Sequence, residues 1–182
     1  MSPLKNITHK GLFAILLACS TTVFAQTRPA SEYGIKAVFI LNFTQFVEWP
    51  ASSFASPQTP LVIGVLGGNP FGGYLENAVA GEKAKGRPLV VNYYKNPEEI
   101  KACHILFINK SQINDMGNIL SKLNGTNTLT ISDAAGFLQN GGMFRFVNKN
   151  NKINIQVNLD AAKAAKLDVS SKLLRLCDIY AP

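Results

Sequence analysis

Residues 62–79 read VIGVLGGNPFGGYLENAV: a strand-like apolar run, five glycines between Gly64 and Gly73, then the amphipathic start of a helix. Glycines between a strand and a helix can hold a pyrophosphate, because they let the backbone approach closely and aim N–H groups at the phosphate. A dinucleotide site needs G-x-G-x-x-G opening the helix. Glycines at 64, 67, 68, 72 and 73, interrupted by Pro70, supply no such triplet. The acidic residue expected about 20 positions later is missing too, since the next strand ends Asn92-Tyr93-Tyr94. We read the stretch as a tight strand-to-helix turn with the helix capped near Asn69, the first βα unit of an alternating domain.

Working outward, the same alternation continues in both directions. Ser31 can cap a helix through SEYGIKAVFILNFTQFVEWP, with apolar residues at 35, 38, 39, 43, 46 and 47 and Pro50 as its stop. Those apolar positions fit either a core face or a dimer face. Leu61 to Leu66 is a strand apolar on both faces, followed by a helix over 73–79, a strand over 89–93, a short helix begun by Pro97-Glu98-Glu99, and a strand over 104–108. A helix capped by Ser111 then runs to Leu123, and a strand covers 128–132. The tail differs. GGMFRFVNKNNKINIQVNL holds two period-2 runs around Asn148-Lys149-Asn150-Asn151, a β-hairpin with one solvated face, and residues 160–166 and 171–180 read as two closing helices. The fold class expected is α/β, a layered sandwich with a mainly parallel central sheet, a C-terminal β-hairpin and closing helices.

The first residues, MSPLKNITHKGLFAILLACSTTVFAQTRPA, place Lys5 and Lys10 ahead of an apolar run over 12–18 and small residues after it. This pattern predicts a secretory signal over 1–25, cleaved after Val23-Phe24-Ala25, a linker over 26–30 and a single domain over 31–182. Leu16-Leu17-Ala18-Cys19 offers a second reading, lipidation of Cys19 and a membrane-anchored lipoprotein. The run is shorter than the roughly 20 apolar residues that span a bilayer, and no later segment approaches that, so no transmembrane segment is expected. Export argues against nucleic acid as a partner. The charge of +7, which falls by two with Lys5 and Lys10, is scattered apart from Lys83, Lys85 and Arg87.

An α/β sheet binds ligands beyond the carboxyl ends of its strands. Gly67, Gly68 and Asn69 fall there, as does Asp133, which either meets a ligand or caps the turn Ala134-Ala135-Gly136. Arg145 alternates with Phe144 and Phe146 and is either solvated or an anion contact. His104 opens an apolar strand beside Cys103. Neighbours on a strand face opposite ways, so the two do not make a base and nucleophile pair, and a structural histidine is expected. One His and two separated Cys lack the clustered ligands of a metal site, so neither metal nor cofactor is expected. Cys103 and Cys177 can pair, closing a loop of about 75 residues worth roughly 4 kcal/mol; two buried free thiols are the other reading.

The segments KAVFILNFTQFVEWP, PLVIGVLGGNPFG, CHILFIN, LTISDAAGFLQNGGMFRF and INIQVNLDAAKAAKLDVSSKLLRL, in this order, resemble the YfiR-like family of bacterial periplasmic proteins. The resemblance runs from about Tyr33 to Leu176, and the FVEWP helix end and the SD-x-x-GF-x-x-x-GGM block make it specific. It implies a non-enzymatic regulator, homodimeric, that binds the periplasmic sensor domain of an inner-membrane diguanylate cyclase and so adjusts cyclic di-GMP and biofilm formation. Beside it stand two other readings: a small-ligand-binding module at the strand-end crevice, and a cryptic hydrolase using His104 or Asp133.

Overall fold

The computed structural model describes residues 31–181; the expected signal peptide, the linker and Cys19 lie outside them. Ser31 accepts a hydrogen bond from the Gly34 amide (3.0 Å) and caps α1 (Glu32–Phe46), with Glu32 at the positive end of the helix dipole. The helix ends short of Pro50. Val47 and Glu48 leave it as β1 (Val47–Glu48) to pair with 168–169, and Pro50 keeps Trp49 out of the helical region. In chain order follow β2 (Leu61–Leu66), α2 (Tyr74–Val79), β3 (Lys83–Ala84), β4 (Arg87–Tyr94), β5 (Ile105–Ile108), α3 (Met116–Lys122), β6 (Leu129–Ser132), β7 (Phe144–Lys149), β8 (Lys152–Val157), α4 (Leu159–Ala164), β9 (Asp168–Val169), α5 (Ser171–Leu174) and β10 (Cys177–Ile179).

Eight strands form one sheet in the order β10-β8-β7-β6-β5-β2-β4-β3. From β4 to β7 neighbours run parallel, as crossovers through helices require, while β7–β8 and β3–β4 are antiparallel. The β7–β8 turn uses Asn150 and Asn151 at φ +52° and +61°, the left-handed conformation that asparagine tolerates and a two-residue hairpin demands. The layered α/β sandwich expected from the sequence is the fold observed.

Both faces of the sheet are covered. On one, Ala37, Ile40 and Phe43 of α1 pack with Ile63, Val65, Phe107, Ile131, Phe144 and Phe146; on the other, Met116, Ile119 and Leu120 of α3 pack with Leu66, Leu106, Ile108 and Phe137. Strands sandwiched this way bury every position, which is why β5 and β6 carry no exposed residue. Phe137 lies so close to Gly142 that a Cβ there would stand 2.4 Å from the ring. Among the described residues no helix is long and apolar enough to cross a membrane.

Three local expectations are corrected. Asn109, not Ser111, starts the segment toward α3: its side chain accepts from the Ser111 amide (2.8 Å) and opens a 3₁₀ stretch, Lys110–Asp115, before the α-helix begins. The helix expected over 171–180 stops at Leu174. Residues 177–179 pair parallel with Ile155–Val157 instead, because the outer edge of β8 offers a row of unpaired peptide groups that a four-residue helical pattern cannot outcompete. Cys177 is therefore on an edge strand and not on a helix face.

Candidate functional site

The glycine turn is closed from within. Gly67 adopts φ +91° and its amide donates to the Tyr94 carbonyl (2.9 Å); a Cβ there would meet Ser111 Oγ at 3.0 Å and Asn109 Cβ at 3.2 Å. Asn109 Nδ2 donates to the Gly68 carbonyl (2.7 Å). Asn69 accepts from the Phe71 amide (2.8 Å) and donates to the Gly72 carbonyl (3.0 Å), so it braces the turn, while Gly73 occupies the cap position of α2. The helix is thus not capped by Asn69 as expected. The close packing of loop 109–112 on Gly67 leaves no cradle for a phosphate at that residue.

Asp133 serves neither the turn nor open solvent. The turn is held by Ser132, whose Oγ accepts from the Ala134 amide (3.1 Å) and donates to the Ile108 carbonyl (2.7 Å). Asp133 Oδ2 instead accepts from the Tyr33 hydroxyl and from Lys36 Nζ, both at 2.7 Å. Lys36 is 2% exposed, also meets Glu32 Oε1 at 2.6 Å, and sits 4.2 Å from the Tyr33 ring centroid. Burial pushes the Asp133 carboxyl upward, but hydrogen bonds from Lys36 and Tyr33 outweigh it and hold the group below its ordinary value. Burial and the facing carboxylate raise the Tyr33 phenol. An aspartate held ionised by a buried lysine is a poor proton acceptor near neutral pH; the arrangement is suited to clasping α1 onto the sheet. Asp133 Oδ1 is buried without a partner.

Arg145 is on the other side of the sheet. It pairs in register with Ser132, points away from Phe144 and Phe146, and reaches Gln156 Oε1 at 3.4 Å, with Nε buried and unpartnered. The fold therefore does not bring the three predicted groups together. Gly67–Asn69 closes on loop 109–112, Asp133 faces α1 and Arg145 faces the opposite layer.

His104 is 5% exposed and fully engaged: Nδ1 accepts from the Val62 amide (3.0 Å), Nε2 meets the Ser53 carbonyl (3.1 Å), and the ring stacks on Phe54 at 4.4 Å. With Nδ1 accepting, the proton resides on Nε2. Burial lowers its pKa. Cys103 and Cys177 are both free thiols, raised to about 12 and about 11 by burial. They pack into cores on opposite faces of the sheet, and Cys103 adjoins β5 while Cys177 lies in β10, four strand spacings or about 19 Å away. Of the two cysteine readings the bridge is thus excluded on geometry, since bridged Cα atoms lie within about 7 Å.

A groove of about 300 Å³ lies at the amino end of β5 and β6, beside Ser53, Cys103, His104 and Thr128. Its polar groups are largely spent on the protein: Thr128 Oγ1 donates to the Cys103 carbonyl (2.8 Å), Asn127 to the Ala165 carbonyl (2.8 Å), and Lys122 pairs with Glu98 (2.5 Å). Among the described residues, no group of three His, Cys, Asp or Glu side chains is placed to hold a metal ion. What sequence reasoning missed is Lys36 and Tyr33. Their signal was a lysine on an otherwise apolar stretch of helix, three residues from a tyrosine.

No curated protein matches the chain. Residues 33–178 match the family model described as YfiR/HmsC-like, a span that holds all but the first residue of α1 and the last of β10, with Tyr33, Lys36, Asp133 and the hairpin inside it. The chain belongs to the YfiR/HmsC-like family.

Proposed function

We propose that the protein is a periplasmic, non-enzymatic regulator that binds the sensor domain of an inner-membrane diguanylate cyclase and lowers its output, and that it works as a homodimer. The family match over residues 33–178 is the observation that carries this reading. The state of the titratable groups supports it: His104 has both ring nitrogens committed to the backbone, and Asp133 is held ionised by Lys36. The hydrolase reading loses its base, and the crevice reading loses the grouping of Gly67 and Gly68 with Asp133, which is turned to α1. Regulation then works by population shift, the protein binding one conformation of the sensor better than the other, and its strength is set by that difference in affinity.

Deletion of the gene should raise cellular cyclic di-GMP. Rescue should follow from the full chain but not from a version lacking residues 1–25. An unchanged cyclic di-GMP level in the deletion strain, together with failure to recover a membrane sensor from envelope extracts, would overturn the reading.

A further inference from the structure

The sheet ends differently on its two sides. β10 is three residues long and carries Asp178, a short charged edge of the kind that deters strand pairing. β4, on the other side, pairs with β2 over 89–94 but with β3 only at Arg87 and Pro88. Among the described residues no strand continues the lane of β3, so the outer side of β4 has no neighbour from Leu89 to Tyr94. This run, LVVNYY, holds no charge and no proline, and Val90 and Tyr93 are 39% and 41% exposed. Alternation fixes which peptide groups are left over. The Tyr94 carbonyl accepts from the Gly67 amide on the β2 side, so Val90, Asn92 and Tyr94 are turned inward and the N–H and C=O of Val91 and Tyr93 face outward. On the α2 side of this edge the Tyr93 hydroxyl donates to Glu76 Oε1. Glu76 Oε2 is buried without a partner, and among the described residues no lysine or arginine pairs with the carboxylate.

We propose that an extended, basic segment of the sensor protein adds to β4 here, continuing the lane that β3 begins. The proposal rests on the sensor-binding reading above and names its surface and its mode of recognition. Two features define the occupant. The outward groups of Val91 and Tyr93 repeat at a two-residue spacing of about 7 Å, and another extended backbone is what matches them as acceptor and donor in turn. Glu76 calls for a cation. A lysine or arginine on the added strand, opposite Tyr93 and on the α2 side, rises as far from the sheet as the Tyr93 hydroxyl and so meets the same carboxylate. A second copy of this chain meets the first requirement and fails the second. Paired edge to edge, it brings Leu89, Val91 and Tyr93 to that side together with a second uncompensated Glu76. Arg87 beyond them is held by the carbonyls of Ser56, Pro57 and Thr59 at 2.7–2.9 Å.

The test uses the chain without its expected signal, residues 26–182, and the purified periplasmic domain of the cyclase whose output rises in the deletion strain. In the free chain the Val91 and Tyr93 amides should exchange with solvent deuterium about tenfold or more faster than those of Val90, Asn92 and Tyr94, and binding should slow them to match. Val91→Pro deletes an outward N–H and no bond to β2, so it should weaken binding about a hundredfold with an unchanged circular dichroism spectrum. Glu76→Gln keeps the Tyr93 contact and should weaken binding about tenfold while flattening its dependence on salt. If the domain binds while Val91 and Tyr93 go on exchanging, or if both variants bind normally, this surface is wrong and the sensor reading survives. No binding by the unaltered chain removes both. Protection of Val91 and Tyr93 in the free chain that grows with its concentration would put a second copy on the edge and overturn the proposal.

Discussion

The two ends of the central sheet each bury a group that looks reactive, and they hold it by opposite means. At the carboxyl end the anchor is charge: Lys36 lies between Asp133 and Glu32, with the Tyr33 hydroxyl on the same Asp133 oxygen. At the amino end the anchor is neutral: His104 bridges the Val62 amide and the Ser53 carbonyl, stacks on Phe54 and meets Trp49 edge-on. A buried charge needs its partner far more than a buried neutral group does, because the orphaned partner has no water to turn to. Breaking the charged end should therefore cost most. Lys36→Ala strands Asp133 and should lower stability by about 3–5 kcal/mol in urea unfolding, whereas Lys36→Met combined with Asp133→Leu should recover most of that loss. A double variant no better than the single would show that the clasp contributes specific geometry that apolar packing cannot replace.

The neutral end should follow. His104→Ala leaves an amide and a carbonyl unpaired and opens a gap against Phe54, an expected loss of about 2–4 kcal/mol. His104→Gln restores one acceptor and should lie between the two.

Acid should separate the ends. The His104 pKa is lowered in the folded chain, so the unfolded chain binds the extra proton first; stability contributed here is complete above the ordinary value of 6.5 and falls as pH drops below it toward the lowered value. The Asp133 pKa is also lowered, from 3.8, so its contribution is intact above that value and falls as pH drops through the folded one. Stability measured from pH 8 to pH 2 should thus decline in two windows, each with a slope of at most about 1.4 kcal/mol per pH unit per proton. His104→Gln should abolish the upper window alone. A single decline below pH 4 would mean that His104 titrates normally and is not held as its contacts imply.

Most of the sheet was legible because β2 and β5 are apolar at every position and β6 adds only the small polar residues Thr130 and Ser132, and strand-length apolar runs alternating with helices admit few other arrangements. Boundaries were less legible where the deciding partner is distant in sequence. Val47 leaves α1 to meet Val169, and Cys177 enters a strand to meet Ile155, neither of which local periodicity can foresee. The clasp was half legible. Asp133 was visible as a polar residue past a strand end, but Lys36 lies 97 residues away, and a lysine on an apolar stretch of helix does not name its partner. The outer face of α1 was ambiguous for the same reason: Val38 and Ile40 are equally apolar, and only the crossing of helix on sheet decides which is buried.

The smallest effect tests whether the clasp is one unit or a lysine with a bystander. Tyr33→Phe keeps the ring beneath Lys36 and its edge contact with Phe71, 5.5 Å between centroids, and removes only the hydroxyl on Asp133. A hydrogen bond to a charged group is worth about 1.5–3 kcal/mol, and at a partly exposed tyrosine the lower end applies, so a loss of about 1.5 kcal/mol is expected. The acid window of Asp133 should also move upward, since one of the groups holding its pKa down is gone. A stability loss without that movement would mean that the hydroxyl acts through packing alone.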